Sequence, residues 1–154
     1  MSVAFRRESD EEHLEPKFEL PIPPGPNLVT PRGLALIEAR VAELDALIPT
    51  LSDEEAIKAA RRDLRYWHTR KATAELAPAP GGDAVEFGCT VTFRLGGKKR
   101  SISIVGDDEA DPAAGLIAFS APLVRAMLQA EPGDLVAFGG KPEAIEIIAV
   151  TPSG

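Results

Sequence analysis

Two short acidic runs hold the residues of this chain whose types and spacing could do chemistry. "SIVGDDEADP", Ser103 to Pro112, packs Asp107, Asp108, Glu109 and Asp111 into adjacent positions, and "SDEE" adds Asp53, Glu54 and Glu55. Grouped carboxylates can hold a hard cation or exchange protons, provided that their oxygens converge. A calcium-type loop achieves convergence by spacing its acids at alternate positions around a central glycine, with a closing glutamate. Here Asp107, Asp108 and Glu109 are consecutive and Pro112 ends the run, so the side chains diverge and a turn decorated with charge is expected. In "SDEE", Ser52 is placed to cap the N–H of Glu55 while Glu55 reaches back, a capping box. Acids at a helix start also suit the helix dipole, so capping alone accounts for them.

The remaining polar candidates are weaker. His13 and His68 have no histidine partner four residues away and cannot form a helical zinc pair. "GGKKR" falls short of a phosphate-binding pattern and fits a hairpin tip. Tyr66 and Trp67 adjoin Arg65 and His68 and could stack on nucleic acid, but the position of Trp67 on a helical seam favours packing. Cys89 is the single cysteine, which excludes an internal disulfide and any multi-cysteine metal site, and it is expected to be inert. No nucleophile–base pair can be read from spacing.

The elements that must position these residues follow from periodicity. Residues 1–29, with "RRESDEEHLEPKFEL" and then "PIPPGPN", are charged and proline-rich and predict an extended, disordered tail. At residue 30 the pattern changes: Thr30 is placed as N-cap and Pro31 at the first helical position. Leu34, Ile37, Val41, Leu44 and Ile48 recur at alternating three and four spacing until Pro49, the seam of a helix that packs along a partner. A second helix follows "SDEE", with Ile57, Ala60, Leu64 and Trp67 on one stripe, continuing less cleanly through Lys71 and Ala74. Its outer face is assigned Lys58, Arg61, Arg62, Arg65, Arg70 and Lys71. So short a connection predicts an antiparallel hairpin over 30–77, about 27 Å along its first arm at 1.5 Å per residue.

"APAPGGD" reads as a linker, 78–84, after which the period switches to that of strands. "AVEFGCTVTFRL" and "KKRSISIV" flank Gly96-Gly97, a hairpin signal; "GLIAFS", "LVAF" and "EAIEIIAV" read as further strands, with one short helix at "PLVRAMLQA". The fold class is α+β: a helical hairpin, then an antiparallel sheet with one short helix over 85–154. With 154 residues and a formal charge of −7, the chain is a poor match for a protein that grips phosphate backbones. No apolar run has the length of a membrane span and the start lacks the order of a signal peptide, so a cytoplasmic location without membrane contact is expected.

The second half also resembles a known family. "FGCTVTF" (Phe87 to Phe93), "SIVGDDEAD" (Ser103 to Asp111), "GLIAFSAPLVRAML" (Gly115 to Leu128) and "PGDLVAF" (Pro132 to Phe138) stand in the order of the "FGxxV", "IVGxDEAD", "SP-x-x-RAL" and "GD" motifs of the bacterial GreA/GreB transcript-cleavage and elongation factors. The resemblance implies an FKBP-like C-terminal domain that docks at the rim of the RNA polymerase secondary channel, and an N-terminal antiparallel coiled coil that enters the channel. It implies that Asp107, Asp108, Glu109, Ser120, Pro122 and Arg125 belong to the docking surface, with Ala121 intervening before the proline as a departure from "SP-x-x-R". It further implies a monomer that meets nucleic acid only through the polymerase complex.

The "GDxxENAxY" tip motif of cleavage-stimulating members is absent, and the arm is short by several turns. Asp53, Glu54 and Glu55 are the nearest acids to its tip. Two mechanisms stay open on this resemblance: a cleavage stimulator whose tip acids share a Mg²⁺ ion held in the polymerase active site, with no cofactor of its own, and a non-cleaving regulator similar to the regulator of nucleoside diphosphate kinase. The shortening favours the second on reach, since losing two or three turns withdraws a helix tip by more than about 10 Å. Prolyl isomerisation rests on fold analogy alone and lacks the clustered aromatics of such a pocket.

Overall fold

The computed structural model describes residues 19–152. In chain order the elements are β1 (Asn27–Val29), α1 (Pro31–Leu47), a 3₁₀ turn (Ile48–Thr50), α2 (Glu54–Thr73), β2 (Ala74–Leu76), β3 (Cys89–Leu95) and β4 (Lys98–Val105). A second 3₁₀ turn (Pro112–Ala114), β5 (Leu116–Ala118), α3 (Pro122–Met127), β6 (Leu135–Phe138) and β7 (Lys141–Pro152) complete the mixed α and β structure. Among the described residues the chain divides into two compact units, one of residues 19–25 and 37–73, the other of residues 26–36 and 74–152.

The first unit is helical, and its apolar residues follow the expected seam. Ile37 and Val41 are buried, and Leu44 and Ile48 half-buried, while on α2 Ala60 is buried and Ile57, Leu64 and Trp67 are half-buried. The Arg40 guanidinium stands 5.9 Å from the centre of the Trp67 ring, and Tyr66 meets Trp67 edge-on at 5.1 Å. Two local expectations are corrected. The cap of α2 is Asp53, not Ser52: its Oδ2 accepts the Ala56 N–H at 2.9 Å. A carboxylate one residue closer to the helix competes successfully with the serine hydroxyl because it also neutralises the positive end of the dipole. Arg70 is 2 % exposed and so leaves the outer face to which it was assigned. At 3.6 residues per turn the buried stripe runs from Ala60 through Trp67 to Arg70 rather than to Lys71, and the guanidinium lies 6.0 Å from the Tyr66 ring centre.

The second unit is built on a five-stranded sheet in the order β5-β4-β3-β7-β6. Period-2 alternation divides its two faces. Cys89, Val91 and Phe93 of β3, Ile102 and Ile104 of β4, and Ile145 and Ile147 of β7 point into one core, which α3 covers with Val124 and Met127. The opposite face is polar: Thr90 pairs with Ser103 at 2.8 Å, Thr92 with Ser101 at 2.8 Å, and Arg94 with Glu146 at 2.9 Å. Such cross-strand pairs hold register without needing burial. The β3–β4 hairpin turns at Gly96-Gly97 with φ of 60° and 78°, the left-handed pair that a tight two-residue turn demands.

The sheet is not wholly antiparallel, as the sequence suggested. β5 runs parallel to β4, with Ser103 opposite Leu116 and Val105 opposite Ala118. The connecting segment 106–115 makes this possible, because it carries the chain back along β4 through the acidic turn and the 3₁₀ turn before β5 begins. A second small sheet was also not foreseen. β1, at the end of the segment read as a tail, pairs in parallel with β2, Asn27 opposite Ala74 and Val29 opposite Leu76. The rest of that reading, residues 1–18, lies outside the described residues.

Candidate functional site

The acidic turn is organised by hydrogen bonds that give its carboxylates different roles. Gly106 and Glu109 close it, the Glu109 N–H donating to the Gly106 carbonyl at 3.2 Å. Glu109, counted with the partner-facing acids on sequence, is buried at 7 % exposure. Its Oε1 accepts the Thr30 hydroxyl at 2.6 Å, and that hydroxyl oxygen accepts the Gly33 N–H at 3.0 Å. Arg32 Nη1 stands 3.7 Å from Oε2. Thr30 is therefore the N-cap of α1, as its position before Pro31 indicated, but it works in series with a carboxylate 79 residues away. A negative charge at this spot faces the positive end of the α1 dipole, so the burial of Glu109 is compensated three times over: by hydroxyl, guanidinium and helix terminus. Glu109 thus serves to fix the start of α1 and is withdrawn from the surface.

Replacing it tests that role. Glu109→Gln is expected to lower stability by about 1 kcal/mol in urea unfolding, the difference between a charge-assisted and a neutral hydrogen bond, while Asp111→Asn on the exposed end of the turn stays within about 0.5 kcal/mol.

The other acids remain at or near the surface. Asp107 and Asp108 are half-buried and Asp111 is exposed. Asp107 Oδ1 accepts the Ser120 hydroxyl at 2.8 Å, which ties the turn to the segment entering α3. Ser120, Pro122 and Arg125 are exposed. Pro122 and Arg125 share one side of α3 because Val124 and Met127 take the other side into the core and three-residue spacing makes them neighbours on a helix surface. Asp107 and Ser120, joined by their hydrogen bond, and Pro122 and Arg125 on the exposed side of α3 thus offer a carboxylate, a hydroxyl, a rigid apolar ring and a guanidinium. Of the six residues assigned to the docking surface, Glu109 alone is buried.

The acids before and within α2 are arranged differently. Glu54 and Glu55 are exposed in its first turn and Asp53 caps it. Consecutive side chains on a helix point about 100° apart, so Glu54 and Glu55 do not converge. Asp53→Ala is expected to cost about 1 kcal/mol of stability by removing the cap, and Ser52→Ala close to nothing, checked by thermal or urea unfolding. Among the described residues no three His, Cys, Asp or Glu side chains are grouped so as to hold a metal ion. Cys89 is fully buried, and desolvation pushes its thiol above the ordinary range, which keeps it protonated and unreactive at neutral pH. His68 is exposed on α2, and His13 lies outside the described residues. No helix among the described residues is long and apolar enough to cross a membrane.

The second unit is thus a five-stranded sheet closed on one face by a short helix, with an acidic turn tied to the segment entering that helix. The family model described as "Transcription elongation factor, GreA/GreB, C-term" matches residues 79–152. This stretch of the chain is similar to the C-terminal domain of the GreA/GreB family.

Among known relatives, the transcription elongation factor GreA of Allorhizobium ampelinum is 45% identical over 74 residues, covering 45% of this chain and 46% of its own length. GreA of Desulfovibrio desulfuricans is 36% identical over 81 residues, covering 50% of each. The chain thus spans about half the length of the curated relatives it matches. Among solved structures, the GreA/GreB elongation factor from Nitrosomonas europaea superposes with a TM-score of 0.39 at 22% identity, covering 83% of this chain and 99% of that one. GreA factor homolog 1 of Thermus thermophilus gives 0.38 at 15% identity, covering 82% and 99%.

Proposed function

We propose that this protein is a transcription elongation factor of GreA/GreB type that binds RNA polymerase at the rim of its secondary channel and acts on elongating or backtracked complexes. The observation that carries this is the family match over residues 79–152, which takes in the whole sheet from β3 to β7, the acidic turn and α3. The patch of Asp107, Ser120, Pro122 and Arg125 is the docking face. Its mixed charge and its fixed backbone, with the carboxylate already bonded to Ser120, suit recognition of a partner surface that offers both signs. The domain is FKBP-like in kind, and residues 30–77 act as an antiparallel coiled-coil arm that occupies the channel.

The factor is not itself an enzyme. Any chemistry on the transcript belongs to the polymerase, whose Mg²⁺ would have to be shared with carboxylates on this arm. The fit is poor. Asp53 is committed to the α2 cap, and Glu54 and Glu55 diverge, so no step is assigned through a metal ion at these residues. What the arm supplies instead is bulk within the channel.

The test is a transcript-cleavage assay on backtracked polymerase, comparing this protein with the variant Asp53→Ala, Glu54→Ala, Glu55→Ala. Binding to the polymerase with an effect on backtracked complexes that the triple variant retains is the expected result. Loss of stimulation in the variant would assign the tip acids a direct role in cleavage. Failure of the unaltered chain to bind polymerase would overturn the function.

A further inference from the structure

The β3–β4 hairpin carries the basic run Lys98, Lys99 and Arg100 just past its turn, all three exposed and none ion-paired with a described residue. Arg94 stands directly opposite Lys99 on the polar face of the sheet, and its guanidinium is taken by Glu146 at 2.9 Å. Lys99 therefore faces a like charge with no acid of its own, an arrangement that weakens a strand pair.

The same residues lie on a bare strand edge. β5 covers only the far end of β4, from Ser103 to Val105, which leaves Lys98 to Ile102 without a paired strand on that side among the described residues. Backbone direction alternates along an antiparallel strand. Ser103 donates its N–H outward to the Gly115 carbonyl at 2.8 Å, and the Val105 carbonyl accepts the Phe119 N–H at 2.9 Å, so these residues turn their backbone groups away from β3. Two and four residues before Ser103, the N–H of Ser101 and both backbone groups of Lys99 point to the bare edge by the same alternation.

We propose that this edge receives an extended, acidic segment of a partner protein as an added strand, pairing with Lys99 and Ser101. Backbone hydrogen bonds supply the attachment and the side chains select the sequence. Lys99 lies on the polar face and Lys98 and Arg100 on the other, so successive acids of one segment meet a cation whichever face they take. A run of adjacent Asp or Glu is the composition that fits. From Lys98 to Ile102 the edge is about 13 Å long, room for four or five residues at roughly 3.3 Å each. Single-stranded nucleic acid fits less well, because it draws much of its affinity from bases stacked on aromatic rings, and Phe87, Phe93, Phe119 and Phe138 of this unit all pack in or against the core. The edge also stands clear of the acidic turn, since Lys98 is about 23 Å along β4 from Val105, after which the turn begins. Both surfaces can be occupied together.

The experiment titrates the isotope-labelled full chain with an end-capped peptide, Asp-Glu-Val-Asp-Glu-Val. The amide signals of Lys99 and Ser101 should shift and their hydrogen exchange should slow, with Ser120 and Arg125 unchanged. Lys98→Glu with Lys99→Glu and Arg100→Glu should weaken binding by at least about tenfold, and the reversal at Lys99 faces Arg94, so the hairpin is kept. The same peptide methylated on every backbone nitrogen keeps its charges but cannot pair as a strand, and it should bind at least about tenfold more weakly to the unaltered chain. No response at Lys99 and Ser101 would mean that the cations only guard the edge against self-pairing, and would overturn the proposal. So would equal binding of the methylated peptide, or tighter binding of hexathymidylate than of the peptide. Slowed exchange at Lys99 and Ser101 that grows with the concentration of the chain alone would make a second copy the occupant, which also overturns it.

Discussion

Gly106→Ala should lower the stability of the second unit by about 2–3 kcal/mol, the usual cost of forcing atoms into a filled site. A Cβ at Gly106 would overlap the carbonyl oxygen of Leu28, with the Leu28 carbonyl carbon at 3.5 Å and the Val29 Cα at 3.7 Å in ordinary contact beside it. All of these are backbone atoms, so no side chain can rotate away and β1 itself must move. The first bond to suffer is that from the Ala77 N–H to the Val29 carbonyl, 3.2 Å long in the native chain. Urea unfolding should show the loss, and hydrogen exchange should show reduced protection at Ala77. Gly81→Ala is the control: its Cβ would meet only Asp83 Oδ2 at an ordinary 3.8 Å, so a change within about 0.5 kcal/mol is expected. Equal effects at the two glycines would mean that β1 does not rest on the acidic turn.

The second large effect concerns binding. Arg125→Glu should weaken association with RNA polymerase by about tenfold or more, because reversing a charge in a complementary interface replaces attraction with repulsion. Arg125 is exposed and lies in the last turn of α3, while the residues that hold α3 in place, Val124 and Met127, are untouched by the change. Folding should therefore be preserved, and circular dichroism checks it. The triple alanine variant at Asp53, Glu54 and Glu55 should bind within about threefold of the unaltered chain, since none of these belongs to the docking face proposed above. The reverse order of effects, measured by equilibrium binding to purified polymerase, would move the docking face to the arm.

Much of the architecture could be read from the chain. The seam from Leu34 to Ile48 and the stripe from Ile57 to Trp67 are periodic enough to define two helices, and Gly96-Gly97 between β-branched runs defines a hairpin. What could not be read depended on contacts distant in sequence. Thr30 was legible as an N-cap, but nothing local links it to Glu109, and without that link Glu109 looks like its exposed neighbours. The parallel pairing of β5 with β4 escaped for a similar reason: three-residue strands carry no directional signal, and their partner is set by where the intervening turn leaves the chain. Arg70 was misplaced because a long charged side chain can bury its stem on the seam side, a choice that composition does not reveal. Asp53 displaced Ser52 as a cap through a one-residue shift, within the ordinary uncertainty of helix boundaries.

The same pattern holds for the candidate site. Pro122 and Arg125 share a face because three-residue spacing on a helix dictates it, and this was visible at once. That Asp107 joins them through Ser120 required the fold, since the two residues meet only when the parallel return of β5 brings the start of α3 beside the turn.

The proposed docking of the second unit on RNA polymerase is tested most directly by hydrogen exchange on the full chain with and without the purified enzyme. Complex formation should slow exchange across Ser120 to Arg125 and the turn at Asp107, and leave the polar strand face around Thr92 and Ser101 unchanged. Absence of a complex, or protection confined to the strand face, would contradict it.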